Sequence, residues 1–101
     1  MDIHSFQTSK QIKNFCVNYH IQKLSFFGSV VREDFGHDSD VDVLVRFDPN
    51  HVPGLSFFAM EDELSRILGR KADLQTINFL SPQIRNSVLS EAIKIYEQTQ
   101  S

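Results

Sequence analysis

The chain has 101 residues, 41% of them hydrophobic and nine of them phenylalanine, enough apolar material for one core and too little length for two domains. Its net charge of −3 and pI near 5.7 argue against broad, non-specific nucleic-acid binding, which depends on neutralising phosphates with lysine and arginine. The single cysteine, Cys16, excludes an internal disulfide, no Cys/His cluster has zinc spacing, and no run approaches the roughly 20 apolar residues of a membrane span. The N-terminus, Met-Asp-Ile-His-Ser, lacks the basic and apolar regions of a signal peptide, so a cytoplasmic protein is expected, folded as a single domain over residues 1–101.

Residues 1–7 carry no clear signal. Thr8 or Ser9 is placed to cap a first helix in which Ile12, Phe15, Cys16 and Tyr19 share one apolar face, ending near His20. Cys16 on that stripe is read as core packing, and His4 and His20 as surface residues. Residues 24–27 form a short apolar strand closed by Gly28. After Ser29, residues 30–34 are expected to make one or two helical turns. That puts Arg32 about one turn from the Gly-Ser amides, able to reach a phosphate or to brace a carboxylate through a paired contact.

Residues 35–38 read as a loop around Gly36, and Ser39 supplies a turn hydroxyl before the alternating run Asp40, Val41, Asp42, Val43, Leu44, Val45. In an extended strand Asp40 and Asp42 project to one side, about 6.5 Å apart along the backbone, and the valines to the other. Residues 48–54, with Pro49 and Pro53, break the sheet pattern. Ser56 is placed to cap a helix whose stripe is Phe57, Met60, Leu64, Ile67 and Leu68 and which Gly69 ends; Glu61, Asp62 and Glu63 read as its solvated face.

Residues 72–77 read as a third strand with Asp73 and Gln75 facing opposite to Leu74. Ser81-Pro82 opens a last helix in which Ile84, Val88, Ala92, Ile95 and Tyr96 make one apolar face. The order helix, strand, short helix, strand, helix, strand, helix fits a two-layer α/β (α+β) domain with a mixed β-sheet packed by helices.

Two carboxylates held side by side repel each other unless a cation sits between them. Oxygen-only ligands suit Mg²⁺, which binds through one or two carboxylates together with substrate phosphates. Gly28 offers no side chain to obstruct close approach, Ser29 offers a hydroxyl, and amides at the start of a helical turn point at an anion. A phosphate cradle beside a two-carboxylate metal site implies chemistry on a nucleoside triphosphate. Magnesium's preference for oxygen makes His37 an improbable ligand despite its closeness in sequence.

In type and spacing, Gly28, Ser29, Arg32, Ser39, Asp40 and Asp42 resemble the signature of the DNA-polymerase-β-like nucleotidyltransferases, specifically the minimal nucleotidyltransferase (MNT) proteins. The likeness extends to the aromatic strand into Gly28, the Gly-Arg-Lys-Ala-Asp73-Leu turn and strand, and the last helix ending Glu91-Ala92-Ile-Lys-Ile-Tyr96. The resemblance implies a nucleotidyltransferase core in which Asp40 and Asp42 hold two Mg²⁺ ions, and Gly28 and Ser29 grip the triphosphate of ATP. Arg32 and Ser39 complete the nucleotide site. It makes Asp73 the third metal ligand and the candidate base for the attacking hydroxyl. The implied reaction is transfer of AMP from ATP with release of pyrophosphate.

Larger members of the superfamily carry helical domains that bind the acceptor, and this chain has none, so the acceptor is expected on another protein. The resemblance implies a HEPN-domain ribonuclease toxin, adenylylated on a tyrosine hydroxyl, with the present chain as antitoxin; homo- and hetero-oligomers are both left open. A second reading is a binding module that neutralises its partner by occlusion over a vestigial nucleotide site. Glu33 supports it, since many relatives have glycine directly after the motif arginine. A free-standing enzyme acting on a small-molecule hydroxyl and a templated polymerase are disfavoured by the missing acceptor and duplex-binding parts.

Overall fold

A computed structural model describes residues 2–32, 36 and 39–99. The Asp2 carboxylate accepts the His4 N–H at 3.1 Å and starts a short helix, α1 (Ile3–Gln7), where the sequence carries no clear signal. Ser9 caps α2 (Lys10–Asn18), its hydroxyl accepting the Ile12 N–H at 3.3 Å, and the helix buries Ile12, Phe15 and Cys16 as its spacing predicts. His20, in a left-handed turn, is exposed as expected, and its ring stacks on that of His51 with centroids 3.8 Å apart.

The chain then forms β1 (Ile21–Phe27), a single 3₁₀ turn over Gly28–Val31 and β2 (Val41–Phe47). The expected helix over residues 30–34 is reduced to that turn as far as Val31, while Glu33, Asp34, Phe35, His37 and Asp38 lie outside the described residues. Helix α3 (Ser56–Leu68) starts without a side-chain cap, contrary to the role expected of Ser56, and ends on Gly69 at φ 72°, whose N–H donates to the Ser65 carbonyl at 2.9 Å. Strand β3 (Ala72–Gln75) follows, shorter than expected because residues 77–79 turn into a 3₁₀ segment.

Helix α4 (Pro82–Glu91) starts at Pro82 as expected, but it stops at Glu91 and residues 93–97 form a fourth strand, β4 (Ile93–Glu97). The helical face expected to run through Tyr96 therefore ends at Glu91, and Ile95 and Tyr96 belong to a strand. Ile93, Ile95 and Tyr96 are β-branched or aromatic, and pairing along β1 (Phe26 with Ile93, Leu24 with Tyr96) gives them hydrogen bonds a helix end does not offer. Ile84, expected on the buried stripe, is 46% exposed.

The strand order is β3-β2-β1-β4, with β1 antiparallel to both neighbours and β2 parallel to β3 through α3, so the sheet is mixed. One face carries Leu24 and Phe26 of β1, Val41, Val43 and Val45 of β2, and Ala72 and Leu74 of β3, packed with Ile12 and Phe15 of α2 and Met60 and Leu64 of α3. The acidic run Glu61, Asp62 and Glu63 in the middle of α3 is not merely solvated. Glu61 accepts the Leu74 N–H at 3.0 Å and the Ser65 hydroxyl accepts the Ala72 N–H at 2.8 Å, so the helix satisfies the outer edge of β3. A smaller core of Phe27, Leu80 and Val88 seats α4 against the other face. Among the described residues no helix is long and apolar enough to cross a membrane.

Burial pushes the Cys16 thiol up to about 12. In the native protein it is expected to resist a thiol-reactive dye at pH 8 and to label only as urea unfolds the chain; rapid native labelling would refute the packing. Leu64→Ala, at a fully buried α3 position, is expected to lower unfolding free energy by about 2–5 kcal/mol in urea titration.

Candidate active site

Alternation along β1 and β2 sends Phe27, Asp42 and Leu44 to the face opposite the main core, and the antiparallel register pairs Phe27 with Asp42. The parallel register of β2 and β3 then pairs Asp42 with Asp73. Two carboxylates far apart in sequence therefore stand on adjacent strands, at one end of the sheet. Asp40 lies just before β2 and is exposed, whereas Asp42 is half-buried.

Gly28 follows Phe27 directly, at φ 75°, a left-handed conformation that side chains rarely adopt. A Cβ placed there would fall inside the Asp42 carboxylate, against Oδ2. The turn thus approaches the carboxylate more closely than any other residue type permits.

Arg32 ends the turn, its N–H donating to the Ser29 carbonyl at 3.1 Å. Its guanidinium stands 3.9 Å from Glu91. The Ser39 hydroxyl accepts the Gly36 N–H at 3.1 Å, and Arg70 donates to the Gly36 carbonyl at 2.9 Å. Ser39 closes its own loop and Arg70 ties that loop to the start of β3.

Burial pushes the Asp42 carboxyl above its ordinary value; Asp73 and then Asp40 push the same way, Arg32 opposes them and Glu91 adds to them. Three acids acting on one half-buried carboxyl, all of them oxygen donors, fit a hard divalent cation by chemistry. Among the described residues, however, no three such side chains are grouped closely enough to hold an ion, and the Asp73 carboxylate accepts the Gln75 amide at 3.1 Å. The register places Asp42 and Asp73 side by side on β2 and β3.

Two features escaped the sequence reading. Glu91, at the last position of α4, accepts the Gly28 N–H at 3.0 Å. The sequence carried no signal for it, because the expected helix ran on through Tyr96 and left Glu91 in its interior. A groove of about 950 Å³ also continues along the same face from the carboxylates, floored by Lys23, Leu44, Arg46, Gln75 and Lys94. Val52, Phe58, Phe79 and Leu89 line it and are all more than half exposed. Exposed apolar residues scattered over the loop after β2, α3, the 3₁₀ segment and α4 show no periodicity, so only the fold reveals the patch.

The family described as polymerase beta, nucleotidyltransferase, matches residues 10–101. The chain is 33% identical to the protein adenylyltransferase MntA of Thermococcus cleftensis over 95 residues, 93% of each chain. It superposes with a TM-score of 0.72 on a solved structure described as a minimal nucleotidyltransferase, at 29% identity over 92% of this chain and 95% of that one. A chain from the complex of a tri-AMPylated Shewanella oneidensis HEPN toxin with its MNT antitoxin matches at a TM-score of 0.66 and 14% identity, covering 95% and 73% of the two chains, which is a likeness of fold.

A carboxyl raised in the folded state holds its proton more readily folded than unfolded. Its cost to stability is therefore fully present at neutral pH and fades as pH falls from the folded value toward the unfolded one. In divalent-free buffer at pH 7, Asp42→Asn is expected to melt above the wild type in a circular-dichroism scan, the gap narrowing toward pH 4; a lower melting point would contradict the charge picture. Gly28→Ala is expected to cost about 1–2 kcal/mol in backbone strain alone, read from urea denaturation, and to displace Asp42.

Proposed function

The chain belongs to the polymerase β nucleotidyltransferase family, and from that premise we propose that it is a Mg²⁺-dependent protein adenylyltransferase. Residues 1–101 would act as one catalytic domain, cytoplasmic, moving AMP from ATP to a tyrosine hydroxyl on a HEPN-domain toxin and so serving as its antitoxin. The observation that carries the proposal is the pairing of Asp42 with Asp73 on adjacent parallel strands, directly beside a turn that only glycine can make. Names borne by similar proteins support the acceptor: one is called a protein adenylyltransferase, and another is a chain from a complex of an AMPylated HEPN toxin with an MNT antitoxin.

In this scheme Asp40, Asp42 and Asp73 would hold magnesium, which when bound neutralises phosphate charge and stabilises the attacking and leaving oxygens. The remaining work belongs to the chain. The Gly28–Ser29 turn takes the triphosphate through backbone amides and the Ser29 hydroxyl, with no Cβ to keep the phosphates away. Arg32 adds a positive charge beside the same turn, and Ser39 keeps the loop before Asp40 in shape. The acceptor hydroxyl attacks the α-phosphorus; a new oxygen–phosphorus bond forms, the bond to the bridging oxygen breaks, and pyrophosphate leaves. Asp73 takes the hydroxyl proton. The apolar groove that runs on from Gln75 offers the acceptor protein a surface next to that base.

One observation favours a second reading, a binding module that neutralises its partner by occlusion: the Asp73 carboxylate is engaged by Gln75, outside any assembled metal site. The two separate in one experiment. Co-expression with a HEPN partner, followed by intact mass spectrometry, is expected to show the partner heavier by whole AMP units, and unmodified when Asp40→Ala and Asp42→Ala are combined. An unmodified partner that is nevertheless neutralised by both wild type and double variant establishes occlusion instead. Phe79→Asp, on the groove rim, is expected to keep ATP binding by calorimetry and to lose at least tenfold in partner modification.

A further inference from the structure

Glu91 stands where an acid is least expected. As the last residue of α4 it meets the negative end of the helix dipole, and its charge adds to the load on Asp42. Its ion pair with Arg32 is a poor reason for its presence: the guanidinium is more than half exposed and 3.9 Å away, a geometry that contributes little. A residue that goes against two local preferences at once points to a need at the site.

That need lies at the backbone of the turn. The pairing of β1 with β4 ends at Phe26 and Ile93, and that with β2 ends at Phe27 and Asp42, so the ladders end before Gly28. The Gly28 N–H, in a buried residue, points at the Glu91 Oε1 at 3.0 Å. A bond from an amide to an ionised carboxylate is about twice as strong as one between neutral groups. It spans 63 residues of sequence and joins the end of α4 to the start of the turn.

We propose that Glu91 is a positioning residue that clamps the Gly28 amide and thereby holds the Gly28–Ser29 turn in its left-handed form against Asp42. Glu91 touches no reacting atom. It sets how well the turn is organised before a nucleotide arrives, so its removal weakens nucleotide affinity more than turnover. The consequence for the nucleotide rests on the adenylyltransferase proposal; the clamp itself does not.

The test uses the full chain with Glu91→Ala and Glu91→Gln, each checked for cooperative melting. Glutamine keeps a carbonyl oxygen for the Gly28 N–H and loses the charge facing Arg32. Hydrogen exchange of the Gly28 amide by NMR is expected to speed up roughly tenfold or more in Glu91→Ala and by a smaller factor in Glu91→Gln, which keeps an acceptor but loses the charge assistance. The dissociation constant for ATP with magnesium, by calorimetry, is expected to follow the same order, with AMP transfer at saturating ATP changing less than threefold. Unchanged Gly28 exchange in Glu91→Ala overturns the clamp, and so does a glutamine variant that behaves like alanine, which would assign the effect to charge. A wild type that transfers no AMP, while Gly28 exchange still responds as stated, overturns the adenylyltransferase proposal and leaves the clamp standing.

Discussion

Neighbouring strands lie about 4.8 Å apart, close enough for carboxylates at facing positions to act on each other's charge. The register of β2 on β3 imposes such a neighbourhood on Asp42 and Asp73. What holds the register is the opposite face, where Val41, Val43, Ala72 and Leu74 are almost wholly buried. Burial of a valine or leucine contributes about 1.5–3 kcal/mol. Sliding one strand by a residue would turn that apolar set to solvent. The core therefore keeps Asp42 and Asp73 on facing positions of neighbouring strands, where burial first and Asp73 second raise the Asp42 carboxyl.

The surrounding elements serve the same end. Helix α3 provides the crossover that makes β2 and β3 parallel, and its Glu61 and Ser65 satisfy the outer amides of β3 that no further strand pairs. On the other face, Phe27, Leu80 and Val88 fasten α4 to the sheet just where β1 gives way to the Gly28 turn. The end of α4 thereby reaches the turn, and a side-chain carboxylate replaces the strand carbonyl that the sheet does not supply. The turn, the carboxylates and the helix end form one unit although they come from four separate parts of the chain.

The open face divides into a charged end and an apolar stretch. Leu44 and Gln75 floor the groove, each two residues beyond one of the paired acids, so whatever lies in the groove lies beside them. Phe58 and Phe79 flank Phe57, each in an edge-to-face contact with it, which gives the rim an ordered aromatic frame despite its exposure. Lys23, Arg46 and Lys94 give the floor a positive character, partly offset by Glu97, within a chain of net negative charge. An apolar rim over a basic floor suits a protein surface better than solvent.

Local chemistry was legible in the residues themselves. Ser9, Gly69 and Pro82 mark helix ends because caps and left-handed stops act within a few residues, and the alternation from Asp40 to Val45 marks a strand because side-chain direction there has period two. The 28–42 stretch likewise announced a glycine turn followed by a strand that carries an acid. Other features depended on contacts between distant segments. Residues 93–97 carry apolar positions compatible with a helix, and only the unpaired edge of β1 made them a strand. Glu91 looked like an ordinary helical acid until α4 was seated, and the groove has no period at all. The sequence alone determined which groups are available and which way each faces along its own element; the tertiary structure decided which of them meet, because register and packing across the sheet, rather than spacing along the chain, bring Asp73 to Asp42 and Glu91 to Gly28.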